Sequence, residues 1–395
     1  MSDKISAKVY LKHRQAGPAI GMHPWVFEGA IQKIDGQVHD GSWVSVHRAE
    51  DGAFIAHGLF NSKSQIRIRL YSWDEVDALN DDFFARRVSS AIDLRRNVLG
   101  FSASDSCRLI YSEADQLSGI TVDKFGDYLS VQVSSLALSQ RLESILTVLQ
   151  KAFKPKGIKI KGDRTTARAE GFEQAEEWKG ESPLAPFKIE QGGLSYFVYL
   201  RAGQKTGFYL DQRLNRMRVA EFAKGARVLD LFSYAGGFGL SCLKGGAKEA
   251  ICVDSSEPAL ALAAENAKVN GLNPQIVLSD CFDFLRDYQG PLFDLVVLDP
   301  PRFVKSRKEI DMGMRKYFRI NEEAIQKLSP GGILVTCSCS GSVDSATFRQ
   351  MLGSVGRRMG RSIQILEERG AAPDHPVSAH CPETHYLKVI IARVN

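Results

Sequence analysis

The stretch RVLDLFSYAGGFGL, residues 227–240, decides the fold. Val228, Leu229, Leu231 and Phe232 form an apolar run suited to a buried strand, and Gly236, Gly237 and Gly239 follow ahead of a helix-like segment. Glycines at the end of a strand let the backbone approach a ligand closely. The first-turn amides of the next helix, together with Asp230 at the strand end, supply polar contacts. Taken alone, the pattern fits a nucleotide-cofactor cradle and an ordinary tight turn equally well.

Outward from this stretch, beginning near residue 192, short apolar runs alternate with helix-length segments. Strands are predicted at 228–232, 249–253, 275–278, 295–298 and 332–336, the α/β pattern of a doubly wound parallel sheet. Ligands of such sheets bind beyond the carboxyl ends of the strands. Those ends carry Asp230, Asp254, Asp280, Asp299 and the pair Cys337 and Cys339. Asp254 stands where an acid accepts hydrogen bonds from both ribose hydroxyls, which suits NAD and S-adenosylmethionine alike. Asp299-Pro300-Pro301 discriminates between them: such a turn has no role in hydride transfer, and it resembles the turn with which nucleic-acid methyltransferases hold a target base.

The 395 residues are enough for two or three domains, and 44% hydrophobic with 25% charged residues is ordinary for a globular protein. The N-terminal MSDKISAKVY lacks an apolar core segment and no run approaches a membrane span, so a cytoplasmic protein is expected. Seven scattered cysteines argue for reduced thiols rather than a disulfide framework. The net charge of +5 is modest but clustered. Residues 154–168 hold six basic side chains against one acid, residues 301–320 hold seven against two, and a third cluster spans 201–218. Such clustering suits a polyanion, although any single run also reads as a solvated face.

The first seventy residues read as a small β domain with strands at 44–46, 53–58 and 66–70 and a hairpin turn at Asp51-Gly52. Alternation puts Arg67 and Arg69 on one side of the last strand, either as an RNA-facing surface or as charge protecting an edge. Gly21-Met22-His23-Pro24-Trp25-Val26-Phe27 and the strands after it resemble a PUA domain over residues 4–72, with His23 and Trp25 read as core or turn residues. Next comes a helix capped by Asn80, carrying Phe84, Val88, Ala91, Ile92 and Leu99, and ended by Gly100. Strands at 108–111, 119–123 and 128–133, an amphipathic helix at 136–153, and strands at 157–161 and 194–200 complete a central α+β domain. The basic stretch of that domain, with Lys159 and Lys161, is expected to continue an RNA-facing surface. The expected division is residues 1–74, 75–190 and 191–395.

Four motifs together, Gln204-Lys205-Thr206-Gly207-Phe208-Tyr209-Leu210-Asp211-Gln212-Arg213, Asp230 to Gly239, Asp299-Pro300-Pro301 and Ser338-Cys339-Ser340-Gly341, resemble the bacterial ribosomal RNA large subunit methyltransferase I family. The likeness extends to Asp374-His375-Pro376 and Tyr386-Leu387-Lys388. It implies a class I methyltransferase (Rossmann-like) sheet with an N-terminal PUA-like β-barrel, S-adenosyl-L-methionine as cofactor, and C5 of a 23S rRNA cytosine as target. The implied cofactor contacts are Lys205, Thr206, Gly207, Phe208 and Asp211, then Asp230, Phe232, Ser233, Tyr234, Ala235 and Gly236, then Asp254, Ser255, Asp280, Cys281 and Phe282, and finally Asp299 and Pro300.

The chemistry leads to the same residues. C5 of cytosine is a poor nucleophile until a thiolate adds to C6, and a carboxyl group near N3 and the exocyclic amine stabilises the adduct. Asp299 takes the second role. Extended spacing puts Cys337 and Cys339 on one side, so the residues leave both open, and the family's Ser-Cys-Ser-Gly pattern selects Cys339 as nucleophile. Some RNA cytosine-C5 methyltransferases carry a second cysteine after Asp-Pro-Pro; Arg302 stands there, leaving the elimination base unassigned, with water or Asp299 as candidates. Arg302, Lys305, Arg307 and Lys308 are candidates for phosphate contact, and Phe303, Tyr317 and Phe318 for either base stacking or core. His375, His380, Cys381 and His385 match no familiar ligand spacing, and no metal is expected. The expected partner is 23S rRNA or a large-subunit particle, with no membrane and with a homodimer open. Two other functions fit the same residues: an rRNA exocyclic-amine methyltransferase, and a non-catalytic RNA-binding assembly factor.

Overall fold

The computed structural model describes residues 4–162, 164–201, 207–304 and 306–395. By compactness the chain divides into two units, one of residues 1–187, 198–210 and 373–384, the other of 188–197, 211–372 and 385–395. No helix among the described residues is long and apolar enough to cross a membrane.

In the first unit, strands Trp25–Phe27, Ile66–Ser72, Phe54–Phe60, Trp43–Arg48, Ala7–Leu11 and Ile31–Gly36 lie side by side in that order. The Trp43–Arg48 hairpin turns at Gly52, whose φ of +71° requires glycine's freedom. A second sheet orders Glu177–Gly180, Gly157–Gly162, Tyr128–Val133, Ile120–Phe125 and Cys107–Tyr111. The helix Asp81–Asp93 starts where Asn80 accepts the Phe83 N–H at 3.0 Å, and it passes into a π turn at Leu94–Val98. The single helix expected over 136–153 is two, Leu136–Ser139 and Leu142–Phe153. Arg141 leaves helical geometry between them, and its guanidinium donates to the Ala137 carbonyl at 3.0 Å.

One apolar core joins both sheets of this unit: Trp43, Leu59 and Tyr71 pack with Phe83, Phe84, Leu109 and Ile145. That packing corrects two RNA-binding expectations. Arg69 is buried, donating to Glu170 at 2.9 Å and to Ser118 at 2.9 Å, and lies 3.4 Å from Glu113. Lys159 is buried too, bonded to the Leu200 carbonyl at 2.5 Å and paired with Glu176 at 3.0 Å. Carboxylates and a carbonyl of the same unit hold both cations, so neither offers its charge to a phosphate. Arg67 pairs with Glu28 at 2.8 Å, and Lys161 is half-buried.

Among the described residues, the large sheet of the second unit has seven strands: β1 Arg227–Leu231, β2 Glu249–Asp254, β3 Gln275–Leu278, β4 Phe293–Leu298, β5 Leu328–Ser338, β6 Ile363–Arg369 and β7 Lys388–Val394. Their spatial order is β3-β2-β1-β4-β5-β7-β6. Strands β1 to β5 pair in parallel, as the sequence predicts, while β7 is inserted antiparallel between β5 and β6. Five helices follow the parallel strands: α1 Gly237–Lys244, α2 Glu257–Val269, α3 Cys281–Asp287, α4 Ile310–Gln326 and α5 Ser345–Met359. The sheet is buried on both faces, against Leu285, Tyr317 and Phe348 in one apolar cluster and Val219, Phe238 and Cys242 in another. Burial on both faces is why its strands read as continuous apolar runs. The strand order reverses between β1 and β4, and the carboxyl ends there form the crevice.

Candidate active site

Asp230 lies within β1 and is fully buried. One of its oxygens accepts the Gly239 N–H at 2.8 Å, and the other is buried without a partner among the described residues. Burial pushes its carboxyl up to about 7, the nearby Asp299 and Asp254 charges add to the rise, and the Gly239 N–H opposes it. Gly239 must be small: a Cβ there would come within 2.4 Å of the Cys252 sulfur. After β1, Phe232 and Tyr234 adopt φ of +60° and +49°, and Gly236 adopts +80°. Left-handed backbone at two non-glycine residues is strain that the surroundings must hold. Asp254 does much of this, accepting the Tyr234 N–H on one oxygen and the Ser256 N–H on the other, each at 2.9 Å. Each oxygen keeps a further lone pair.

Other expected contacts serve the same loop. The Cys281 sulfur accepts the Phe232 N–H at 3.3 Å, and burial pushes its thiol up to about 12. The Ala235 carbonyl accepts from Asn266 at 3.0 Å. Ser233 is buried with its hydroxyl unpartnered. Asp280 is exposed and caps α3, accepting the Phe282 and Asp283 N–H groups at 2.8 and 3.2 Å, while Ser255 is exposed. Phe282, Phe232 and Tyr317 surround Phe303, with ring centroids 6.3, 6.3 and 4.9 Å away.

Asp299 stands half-buried just past β4, and a polar chain orients it. Gln212 donates to its Oδ1 at 3.0 Å, Asn215 donates to the Gln212 amide oxygen at 2.7 Å, and Arg369 donates to Asn215 at 2.9 Å. The two cysteines of β5 differ. Cys337 is fully buried, and burial pushes its thiol well above the ordinary value. Cys339 lies one residue beyond the strand and is half-buried, its thiol directed at the Pro300 carbonyl 3.9 Å away. The turn around it is pinned: Ser338 donates to the Tyr317 hydroxyl at 3.1 Å, that hydroxyl lies 3.0 Å from Ser340 Oγ, and the Val304 N–H donates to the same Oγ at 3.2 Å.

Tyr317 is buried, so the core reading holds for it, and Phe318 packs partly buried on the same cluster. Arg302 and Lys308 are exposed. In the first unit, Gly207 has φ of +125° and a Cβ there would meet Leu200 at 2.7 Å, while Phe208 is buried. In the second, Asp211 is buried and accepts a hydrogen bond from Tyr386, leaving its other oxygen without a partner. Lys205, Thr206, Lys305 and the Arg307 side chain lie outside the described residues. The sequence reading gave no role to Gln212, Asn215, Tyr386 or Lys388; three of them stand in the quoted motifs, the only local signal they have.

His23 Nε2, Cys381 Sγ and a Glu383 oxygen lie within 4.8 Å of one another. The Trp25 N–H donates to His23 Nδ1 at 3.2 Å, which in the neutral ring leaves the proton on Nε2, 3.2 Å from Glu383. The nitrogen that faces the cluster is therefore a donor, and the three groups read as a hydrogen-bonded set.

A family model described as S-adenosylmethionine-dependent methyltransferase matches residues 124–386, and one described as PUA-like domain matches residues 9–73. Fold and crevice thus define an S-adenosylmethionine-dependent methyltransferase with an N-terminal PUA-like domain. Two solved structures support the fold: a putative SAM-dependent methyltransferase from Streptococcus mutans (TM-score 0.83, 22% identity) and a putative methyltransferase complexed with SAH (TM-score 0.84, 21% identity). Each covers 99% of this chain and 100% of its own. A protein of Aeromonas salmonicida (strain A449), 38% identical over 98% of this chain and 100% of its own, is called ribosomal RNA large subunit methyltransferase I. So is one of Klebsiella pneumoniae subsp. pneumoniae, 36% identical over the full length of both. This chain belongs to the ribosomal RNA large subunit methyltransferase I family. The unpartnered Asp230 oxygen and Ser233 hydroxyl fit the ammonium and carboxylate of the cofactor's methionine end.

Proposed function

We propose that this protein methylates C5 of a cytosine in 23S rRNA, with Cys339 as nucleophile and Asp299 as the group that holds and polarises the base. The observation that carries the reading is the placement of the Cys339 thiol 3.9 Å from the Pro300 carbonyl, so that a half-exposed thiol and the oriented carboxyl of the Asp-Pro-Pro turn stand at the ends of adjacent strands. Asp230, Phe232 to Gly236, Asp254, Ser255 and Asp280 to Phe282, with Asp211, Asp299 and Pro300, hold the cofactor. When bound, the cofactor supplies an electrophilic methyl group.

The Cys339 thiolate adds to C6, and the C5–C6 electron pair becomes nucleophilic at C5. Asp299 stabilises the charge that develops at N3 and the exocyclic amine, and its fixed orientation removes the need to reorganise as that charge appears. After C5 acquires the methyl group, a base removes the C5 proton, the electron pair re-forms the double bond, and the C6–S bond breaks to return the thiolate. Burial keeps Cys337 a thiol, which suits packing rather than attack. Arg302 and Lys308, exposed beside the crevice turn, fit phosphate contacts.

RNA carrying 5-fluorocytosine has no C5 proton to lose, so it is expected to trap a covalent adduct whose tryptic peptide contains Cys339. Cys339→Ala is expected to lose both adduct and methyl transfer while still binding cofactor by calorimetry. Methyl incorporation with no adduct would favour the exocyclic amine as acceptor; tight RNA binding with neither methylation nor cofactor uptake would favour an assembly factor.

A further inference from the structure

Lys388 opens β7 and is only 3% exposed. Its ammonium donates to the Ser340 carbonyl at 2.6 Å and to the Tyr386 carbonyl at 2.8 Å. Both acceptors are neutral, and among the described residues no carboxylate comes within 4.0 Å of Nζ. A buried cation without a counter-ion is expensive, and lysines are rarely buried unless paired. Burial pulls its pKa down to about 8, the Cys339 thiol opposes that fall, and Arg302 adds to it. Below that value the side chain is still charged.

The anion this arrangement lacks is one residue away in sequence from its first acceptor. Cys337 on β5 and Tyr317 on α4 both feel the Cys339 thiol and are held neutral by burial, and Asp299 past β4 acts on Cys337 as well. Asp299 carries negative charge that disfavours a second anion beside it, since it already raises the Cys337 thiol. Asp344, which caps α5, and Arg302 also act on Lys388, the first favouring its charge and the second opposing it. Lys388 is thus a buried cation bonded to the backbone one residue from Cys339.

Resting on the reading of Cys339 as nucleophile, we propose that Lys388 is a positioning residue whose ammonium, tethered to the Ser340 carbonyl, serves as counter-charge to the Cys339 thiolate and offsets the field of Asp299. It touches neither base nor cofactor. Its two roles are to favour the ionised thiol and to fix the turn that presents it.

The test is the pH dependence of Cys339 alkylation by iodoacetamide in the full chain, followed by peptide mass mapping. Cys339 is the one thiol of the seven that is not buried, so its labelling is resolved from the others. The wild-type rate is expected to inflect below the ordinary thiol value of about 8.5. Lys388→Met is expected to move the inflection up by about one unit or more, slowing alkylation at pH 7 by about tenfold. Lys388→Arg retains the charge and is expected to restore most of the rate. Cofactor binding by calorimetry serves as the folding control. A wild-type inflection at or above 8.5 overturns the proposal, as does a Lys388→Met profile superimposable on wild type. If Lys388→Met does not fold, the wild-type and Lys388→Arg profiles decide. Alkylation needs no methyl transfer, so the two readings fail separately: an adduct at Cys339 with an unshifted Lys388→Met profile removes Lys388 alone, and a shifted profile with no adduct removes the nucleophile assignment alone.

Discussion

Asp230 is protonated more readily in the folded chain than in the unfolded one, because burial raises its carboxyl from the ordinary 3.8 to about 7. Below about pH 4 both states hold the proton and Asp230 costs nothing. Between 4 and 7 the unfolded chain gives up the proton while the folded chain keeps it, so stability falls as pH rises, and above 7 the full penalty persists. Asp230→Asn keeps an acceptor for the Gly239 N–H and removes the charge. Differential scanning calorimetry of the cofactor-free protein should show the variant gaining in Tm at pH 8 and gaining less at pH 5. An equal gain at both would mean that burial of charge is not what Asp230 contributes. The same substitution should weaken cofactor uptake. At this scale the sequence was informative: the run of strand-end acids was visible in order, whereas the need for glycine at 239 comes from the Cys252 sulfur on the neighbouring strand. Alternation gives both cysteines the same side, so only the Ser-Cys-Ser-Gly likeness separated Cys339 from Cys337. Cys339 differs only because β5 ends at Ser338 and leaves it at the rim.

Elements were legible in proportion to how local their causes are. The cap at Asn80 was expected from residue type and position, and its side chain accepts the Phe83 N–H. Asn80→Ala should therefore cost about 1 kcal/mol in urea denaturation, since it leaves a first-turn amide without its partner. No measurable change would mean that water replaces the cap. The five parallel strands were predicted within a few residues because burial on both faces writes a continuous apolar run. Strands β6 and β7 were missed. Lys388 and Val389 pair with Ser338 and Cys337, some fifty residues earlier, and nothing in the local sequence announces that partnership. The broken helix at Arg141 was missed for a related reason: apolar periodicity runs through the break, and the interruption shows only in the backbone angles of one residue.

Across the whole molecule, the largest departure from the sequence reading is the fate of its basic residues. Arg69 sits in a buried network with Glu113, Glu170 and Ser118, and Ser64 also donates to Glu170. Removing the cation leaves carboxylates buried without their partner, so Arg69→Met should cost about 3–5 kcal/mol in thermal or urea unfolding. A loss below about 1 kcal/mol would mean that water reaches the acids. Period-two spacing assigns Arg67 and Arg69 to one side of their strand. It says nothing of what covers that side, which is decided by Glu113 and Glu170, residues 44 and 101 positions further along. By itself the sequence determined the runs that become strands, the glycine turn after β1, the acids at successive strand ends, the Asp-Pro-Pro turn and the motifs that define the family. Each is a property of neighbouring residues and survives without knowledge of the fold. Only the tertiary structure decided which cations are spent inside the protein, why Cys339 is left half-buried where Cys337 is fully buried, and which buried lysine is bonded to the neighbouring backbone. Those outcomes depend on burial and on pairing between distant parts of the chain, which packing creates.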